Sequence, residues 1–264
     1  MNDFVGSHGV ANALYEFPLR DSIRLFLRLE VLDRQLAAAA NHRSGALDRP
    51  AVHAVLSVVD LVFREDLRAH LLQQIYYLQR NYQVLRARED IRQENLKALL
   101  DELEQFREEL VQLKASTGRN LRFDPLISAL RHRDSVTDAA MAVDLPVYQW
   151  WLQAPAERCR EDFLKWVEAL GPLLNANRKF LALLRERGDY HNCEADQGSF
   201  VASISRDQEL WMVRIGMPKD IPCFPQASGA SDSGKIHVRF LKTPSGDKAG
   251  ELYRPKFTFM LAVC

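Results

Sequence analysis

The sequence predicts an α+β fold: an N-terminal all-helical domain with a helical hairpin, residues 1–189, followed by a small antiparallel β-strand domain, residues 190–264. Three observations carry this. Up to Gly188, apolar residues recur at steps of three and four, the period of helices with one buried stripe. Beyond it β-formers alternate or cluster between Gly, Pro, Ser and Asp. At 264 residues the chain is long for one core and comfortable for two smaller ones.

The first helix follows Pro18 and runs to about Ala39, with Leu25, Leu29, Leu32 and Leu36 as its apolar stripe. Arg20, Arg24 and Arg28 are spaced by four and form a basic ridge on it. A second helix starts at Pro50, a good first-turn residue, and reaches Phe63. A third carries Leu67, Leu71, Ile75, Leu78, Tyr82 and Leu85. After a charged break, Leu96, Leu99, Leu103, Phe106, Leu110 and Leu113 form a heptad seam, so these two helices read as an antiparallel hairpin. The seam packs within the chain or against another subunit, and Gly118 is a candidate C-cap. Asp124-Pro125 and Asp144-Leu145-Pro146 begin two short helices, and Pro155 and Pro172 begin two more. Strands are expected over 199–204, 210–217, 235–241 and 256–263, with 225–234 as the most loop-like stretch.

Composition excludes several classes. Thirty-five bases balance 35 acids, so the basic footprint of bulk nucleic-acid binding is missing. Residues 89–110 nevertheless carry eight acids against three bases, and eight bases stand against four acids from Trp211 onward. Such segregation suggests an acidic face and a basic face, or two solvated surfaces without a partner. The N-terminal residues do not read as a signal peptide, and no apolar run is long enough to span a bilayer. Cys159, Cys193, Cys223 and Cys264 form no C-x-x-C pair and are expected to be reduced thiols in a cytosol. No metal or cofactor is expected: His191 and Cys193 are close, but a zinc site wants four ligands. P-loop, G-x-G-x-x-G, G-x-S-x-G and H-E-x-x-H motifs are missing, which points away from an enzyme.

Arginine near aromatic residues is what the chain offers instead, the composition of binding hot spots. Arg28, between Leu27 and Leu29, borders the expected stripe, suited to a ligand carboxylate or to an internal ion pair, for example with Glu30. Arg131 and Arg133 lie just before Tyr148, Trp150 and Trp151, of which Trp151 reads as core. Lys235, His237 and Arg239 alternate with Ile236, Val238 and Phe240, so they share one face of a strand. That face suits an acidic peptide, or is a plain solvated surface.

YEFPLRDSIRLFLRLEVLDRQL, VFREDLRAHLL, LRHR, VDLPVYQWWLQAPAERC, FPQASG, KIHVRF and the ending FMLAVC succeed one another along nearly the whole chain. In that collinear order the sequence resembles the Z-ring-associated protein D (ZapD) family. The resemblance implies a homodimer that binds the C-terminal tail of the tubulin-like division GTPase FtsZ and bundles its filaments. It also implies a cytoplasmic location at the mid-cell division ring, with no nucleic acid and no membrane insertion. The family's basic pocket carries over to Arg28, Arg131 and Arg133, with Arg24 nearby and Tyr148 and Gln149 from the Asp-Leu-Pro segment. Gln149 stands where the family often has histidine, and Val136-Thr137-Asp138-Ala139-Ala140 replaces its Ile-Pro-Gly-Gly. A second basic set maps to Arg64, Arg68, Lys235 and Arg239. The rival readings are a nucleic-acid-binding protein and a coiled-coil scaffold without FtsZ specificity.

Overall fold

The computed structural model of the chain describes residues 12–41, 49–85, 93–114, 116–131, 144–204, 210–230, 234–243 and 250–264. The elements are β1 (Asn12–Pro18), α1 (Asp21–Asn41), α2 (Arg49–Arg64), α3 (Leu67–Leu85), α4 (Gln93–Gln112), a short 3-10 helix (Arg119–Phe123), α5 (Pro125–Arg131), α6 (Pro146–Leu152) and α7 (Ala156–Glu186). The strands β2 (His191–Ala195), β3 (Ser199–Ser203), β4 (Met212–Pro218), β5 (Cys223–Ala230), β6 (Lys235–Lys242) and β7 (Phe257–Val263) follow. The α+β class is as the periodicity predicts. Contacts divide the chain into a helical unit, residues 28–180, and a β unit, residues 1–27 with 181–264.

In the helical unit α2 is the inner element. Ala51, Val52, Ala54, Val55, Leu56, Val58, Val59 and Val62 are all buried, so a broad apolar face covers more than half of it, with His53, Ser57, Asp60 and Arg64 on the other side. The hairpin of α3 and α4 is present, with Leu96, Leu100, Leu103, Phe106 and Leu110 buried on α4. Gln79 donates to Glu104 across it at 2.9 Å. Hydrogen bonds from Arg107 first, then Gln79, hold the Glu104 carboxyl down to about 2. Asp124 caps α5, accepting from the Leu126 and Ile127 amides at 2.9 and 3.0 Å, and its other oxygen accepts from Trp166 Nε1 at 2.9 Å. Gly118 adopts φ 74°, and a Cβ there would lie 3.2 Å from Leu170. It opens the 3-10 helix instead of capping α4.

Two helices expected from Pro155 and Pro172 are one. α7 runs through Pro172, and the burial of Leu170, Leu173 and Leu174 on either side offsets the lost amide donor. On α1 the buried positions are Ile23, Phe26, Leu29, Asp33 and Leu36, so the stripe is turned from the one expected and Leu25 and Leu32 are only half-buried. Asp33 is held by both Nε and a terminal nitrogen of Arg178, the latter at 2.9 Å.

The β unit has a four-stranded sheet, β1-β4-β7-β2, and a three-stranded sheet, β3-β6-β5. Val213, Ile215, Phe259 and Leu261 of the first share a core with Ile236, Val238 and Phe240 of the second. Phe240 and Phe259 meet edge-to-face at 4.9 Å. β1, from a segment read as helical-domain sequence, lies in the four-stranded sheet because Ala13, Tyr15 and Phe17 pack on this core. β5 occupies most of the stretch expected to be loop. It is an edge strand, where the missing amide of Pro225 is tolerated.

One ion cluster ties β1 to β4 and to the end of α7. Glu16 accepts from Arg185 Nε at 2.8 Å and a terminal nitrogen at 2.7 Å, and from Arg214 Nε at 3.0 Å. Arg214 is only 9% exposed, so removing Glu16 strands a buried charge. Glu16→Leu is expected to cost about 3 kcal/mol in urea unfolding. Arg185→Met should cost less, because Arg214 still answers Glu16.

Candidate basic binding surface

The arginines and lysines split into those the fold consumes and those it presents. Arg20 is consumed: its Nε donates to Leu210 O at 3.1 Å and its guanidinium lies 5.0 Å from the Trp211 ring. Arg24 and Arg28, one and two turns along, are exposed on α1. Arg24 has a loose contact with Asp21 at 3.9 Å, both side chains in water. Arg28 makes no ion pair among the described residues; Glu30, its expected alternative, contacts Arg34 at 3.9 Å. The turned stripe explains this exposure: with Phe26 and Leu29 inward, position 28 points outward, where a border position was expected. Val31 is exposed on the same face.

Arg131, the last residue of α5, is built in. Its Nε donates to Asp60 at 2.7 Å and its guanidinium stacks 4.1 Å from the Phe63 ring. That contact brings it to the C-terminal end of α2, where Arg64 is exposed. Arg133 lies outside the described residues. Arg68 is also consumed: Nε donates to Leu110 O at 2.8 Å and a terminal nitrogen to Val111 O at 3.0 Å, which satisfies carbonyls in the last turn of α4.

On α6, Tyr148 is buried and stacks on Trp151, which in turn meets Trp166 at 5.7 Å. Trp151 is core, as its pattern suggested. Gln149 is exposed, and so is Trp150, at 56%, with Arg158 4.7 Å from its ring. An exposed aromatic residue stacked by arginine is a hot-spot arrangement; helical spacing puts Tyr148 and Trp151, three apart, on the buried face and leaves Trp150 outward.

In the β unit, Lys235, His237 and Arg239 are exposed on β6 while Ile236, Val238 and Phe240 are buried, as the alternation predicts. In register beside them stand Ser199, Val201 and Ser203 of β3 and Gln226 and Ser228 of β5. None of these neighbours is acidic, so the three side chains form a basic row without a carboxylate in the flanking strands.

The four cysteines are free thiols. Burial pushes each thiol upward, Cys223 to about 11. Such groups are neutral thiols at neutral pH, not nucleophiles. Among the described residues no three His, Cys, Asp or Glu side chains gather to hold a metal.

A family model described as "ZapD: Cell division protein" matches residues 27–237. Among curated proteins, the chain is similar to a protein of Chromobacterium violaceum named "Cell division protein ZapD". The two are 26% identical over 250 residues, which cover 95% of this chain and 98% of that one.

Three outcomes are expected. Arg131→Ala should lower stability by about 1–2 kcal/mol in urea titration, through the lost Asp60 bond and Phe63 stacking. Arg28→Ala should stay within about 0.5 kcal/mol of the wild type. Iodoacetamide at about pH 8 should leave Cys223 of the native chain unmodified, and labelling should appear only as pH rises toward its shifted value or on unfolding.

Proposed function

The chain belongs to the ZapD family of cell division proteins, and from that premise we propose that it is an adaptor that binds the flexible C-terminal tail of FtsZ and bundles FtsZ filaments. It acts as a homodimer in the cytoplasm at the mid-cell ring, without a catalytic step or cofactor, and without binding nucleic acid or inserting into a membrane. No helix among the described residues is long and apolar enough to cross a membrane.

The observation that carries the reading is the exposed pair Arg24 and Arg28 on α1, with Arg28 lacking a carboxylate partner among the described residues. Arginine in that state binds a tail carboxylate without first breaking an internal ion pair, each charge-assisted bond contributing roughly 1.5–3 kcal/mol. Arg131 has a different part. Asp60 and Phe63 hold its guanidinium in place, so it meets a ligand already ordered, with less entropy to lose. Arg133, Tyr148 and Gln149 complete the proposed tail site, Tyr148 as the buried support of Gln149. Arg64 in the helical unit, and Lys235 and Arg239 in the β unit, are the proposed second set of basic residues, with Arg68 holding α4 in place.

One tail on such a site binds weakly, near micromolar, or about −8 kcal/mol. A filament presents many tails, so two linked sites gain avidity of order 10²–10⁴. Weak capture and strong bundling are then compatible.

GTP-assembled FtsZ should co-sediment and bundle with this protein, and FtsZ without its C-terminal tail should not. Arg28→Glu should weaken tail binding about ten-fold or more while the urea midpoint holds. Raising salt should weaken capture, because exposed pairs are screened beyond about 8 Å at physiological ionic strength. Equal co-sedimentation of tail-less FtsZ would refute the reading.

A further inference from the structure

The chain has four tryptophans. Trp151, Trp166 and Trp211 are buried, while Trp150 is 56% exposed. Val147, one turn before it on α6, is also exposed, so the two share a face. Arg158, in the first turn of α7, lays its guanidinium 4.7 Å from the Trp150 ring. Arg158 is exposed and forms no ion pair among the described residues; Glu157 and Glu161 on the same helix stay in water. We propose that Trp150, Val147 and Arg158 form a subsite of the tail-binding surface, which takes one apolar side chain of the tail and a carboxylate next to it. The inference rests on the tail-binding reading and adds to it a demand for apolar sequence.

Each part has a chemical task. The indole surface left in water, with Val147, receives the apolar side chain. A guanidinium stacked on a ring keeps its N–H edge free, and that edge binds a carboxylate through two bonds. The stacking also orders both side chains in advance, so less entropy is lost on binding. A site made of arginines alone reads charge; an indole beside them makes it read sequence.

The size of the patch selects its occupant. One indole, one valine and one guanidinium fall far short of the ~1,000 Å² that two folded surfaces need. They suit two or three residues of an extended chain. The patch also continues the proposed tail site. Gln149 is exposed beside Trp150, and α6 packs against α5, whose last residue is Arg131. Arg160 donates to Ala40 O at 2.6 Å and so places the start of α7 at the last turn of α1. Ala40 lies about 18 Å along α1 from Arg28, the length of about six extended residues. A flexible tail reaches from one to the other.

The test uses the full chain and a synthetic peptide of the cognate FtsZ tail. A second peptide has serine at every apolar position and keeps every charge. The wild type should bind the serine peptide about ten-fold more weakly. Trp150→Ala should bind the native peptide about ten-fold more weakly and should no longer tell the two peptides apart. Arg158→Ala should weaken the native peptide about three-fold or more. The urea midpoints should hold, because these side chains are exposed.

A second readout needs no affinity. Trp150 is the exposed indole beside three buried ones, so it dominates acrylamide quenching of the native chain. The native peptide should lower that quenching and shift the emission to the blue, and Trp150→Phe should abolish the change. Equal binding of both peptides by the wild type overturns the inference. So does a Trp150→Ala protein that binds as the wild type does while Arg28→Glu fails to bind; the tail-binding reading then stands without this subsite. A wild type that binds neither peptide overturns that reading and the subsite with it. Shielding of Trp150 that grows with protein concentration alone assigns the patch to a second copy and also overturns the inference.

Discussion

The inward face of α1 combines four apolar side chains, Ile23, Phe26, Leu29 and Leu36, with one buried carboxylate. Asp33 is 6% exposed, and two nitrogens of Arg178 answer it. Burying a carboxylate without such a partner is costly, so any rotation of α1 that broke this pair would oppose itself. With Asp33 inward, Phe26, Leu29 and Leu36 follow at helical spacing, and Arg24, Arg28 and Val31 are left outward. The presented cations are thus those left opposite the buried face. In the β unit Glu16 likewise answers Arg185 and Arg214, while the basic side chains of β6 face outward.

Much of the fold was legible because its signals are local. The seam on α4, the Asp124-Pro125 start of α5 and the alternation on β6 each depend on residues a few positions apart; the last two are present, and the seam is present with Leu100 buried where Leu99 was expected and Leu113 only half-buried beyond the helix end. What escaped depends on partners far along the chain. β1 alternates Ala13, Tyr15 and Phe17, but Leu14 blurs the alternation, and its partner β4 lies about two hundred residues on. β5 contains Pro225 and Gly229, read as turn signals; being an edge strand makes both tolerable. Pro172 read as a helix start because burial of its neighbours is not visible in a window.

The candidate surface divides the same way. That β6 presents three basic side chains follows from period two alone. That Arg68 holds the last turn of α4, 42 residues away, does not follow from any spacing, nor does the Arg131–Asp60 pair, 71 residues apart. On α1 the periodicity found the helix but mistook its inward face by a fraction of a turn. Leucine at 25 and 32 outscored Asp33 as a core candidate, and only the distant Arg178 makes Asp33 a core residue. Errors of this kind move an arginine from the border to the surface, which changes its chemistry more than its place.

A chain of zero net charge can still hold an acidic partner, because binding reads local excess and not the total. The acids on α4 are partly spent: Glu104 on Arg107 and Gln79, Glu109 on Lys179 at 3.1 Å. The bases on α1 and β6 stand among uncharged or loosely paired neighbours. Such exposed cations give weak single contacts, since water and salt compete for each. Weakness is useful to an adaptor acting on a dynamic polymer. A site that gripped one tail tightly would not exchange as filaments rearrange, whereas several weak sites hold when tails are dense and let go when they are not. The physical requirement is therefore placed on the link between sites. In the proposed adaptor, the stiffness of that link sets the spacing at which two tails are engaged, and with it the filament separations that are held together.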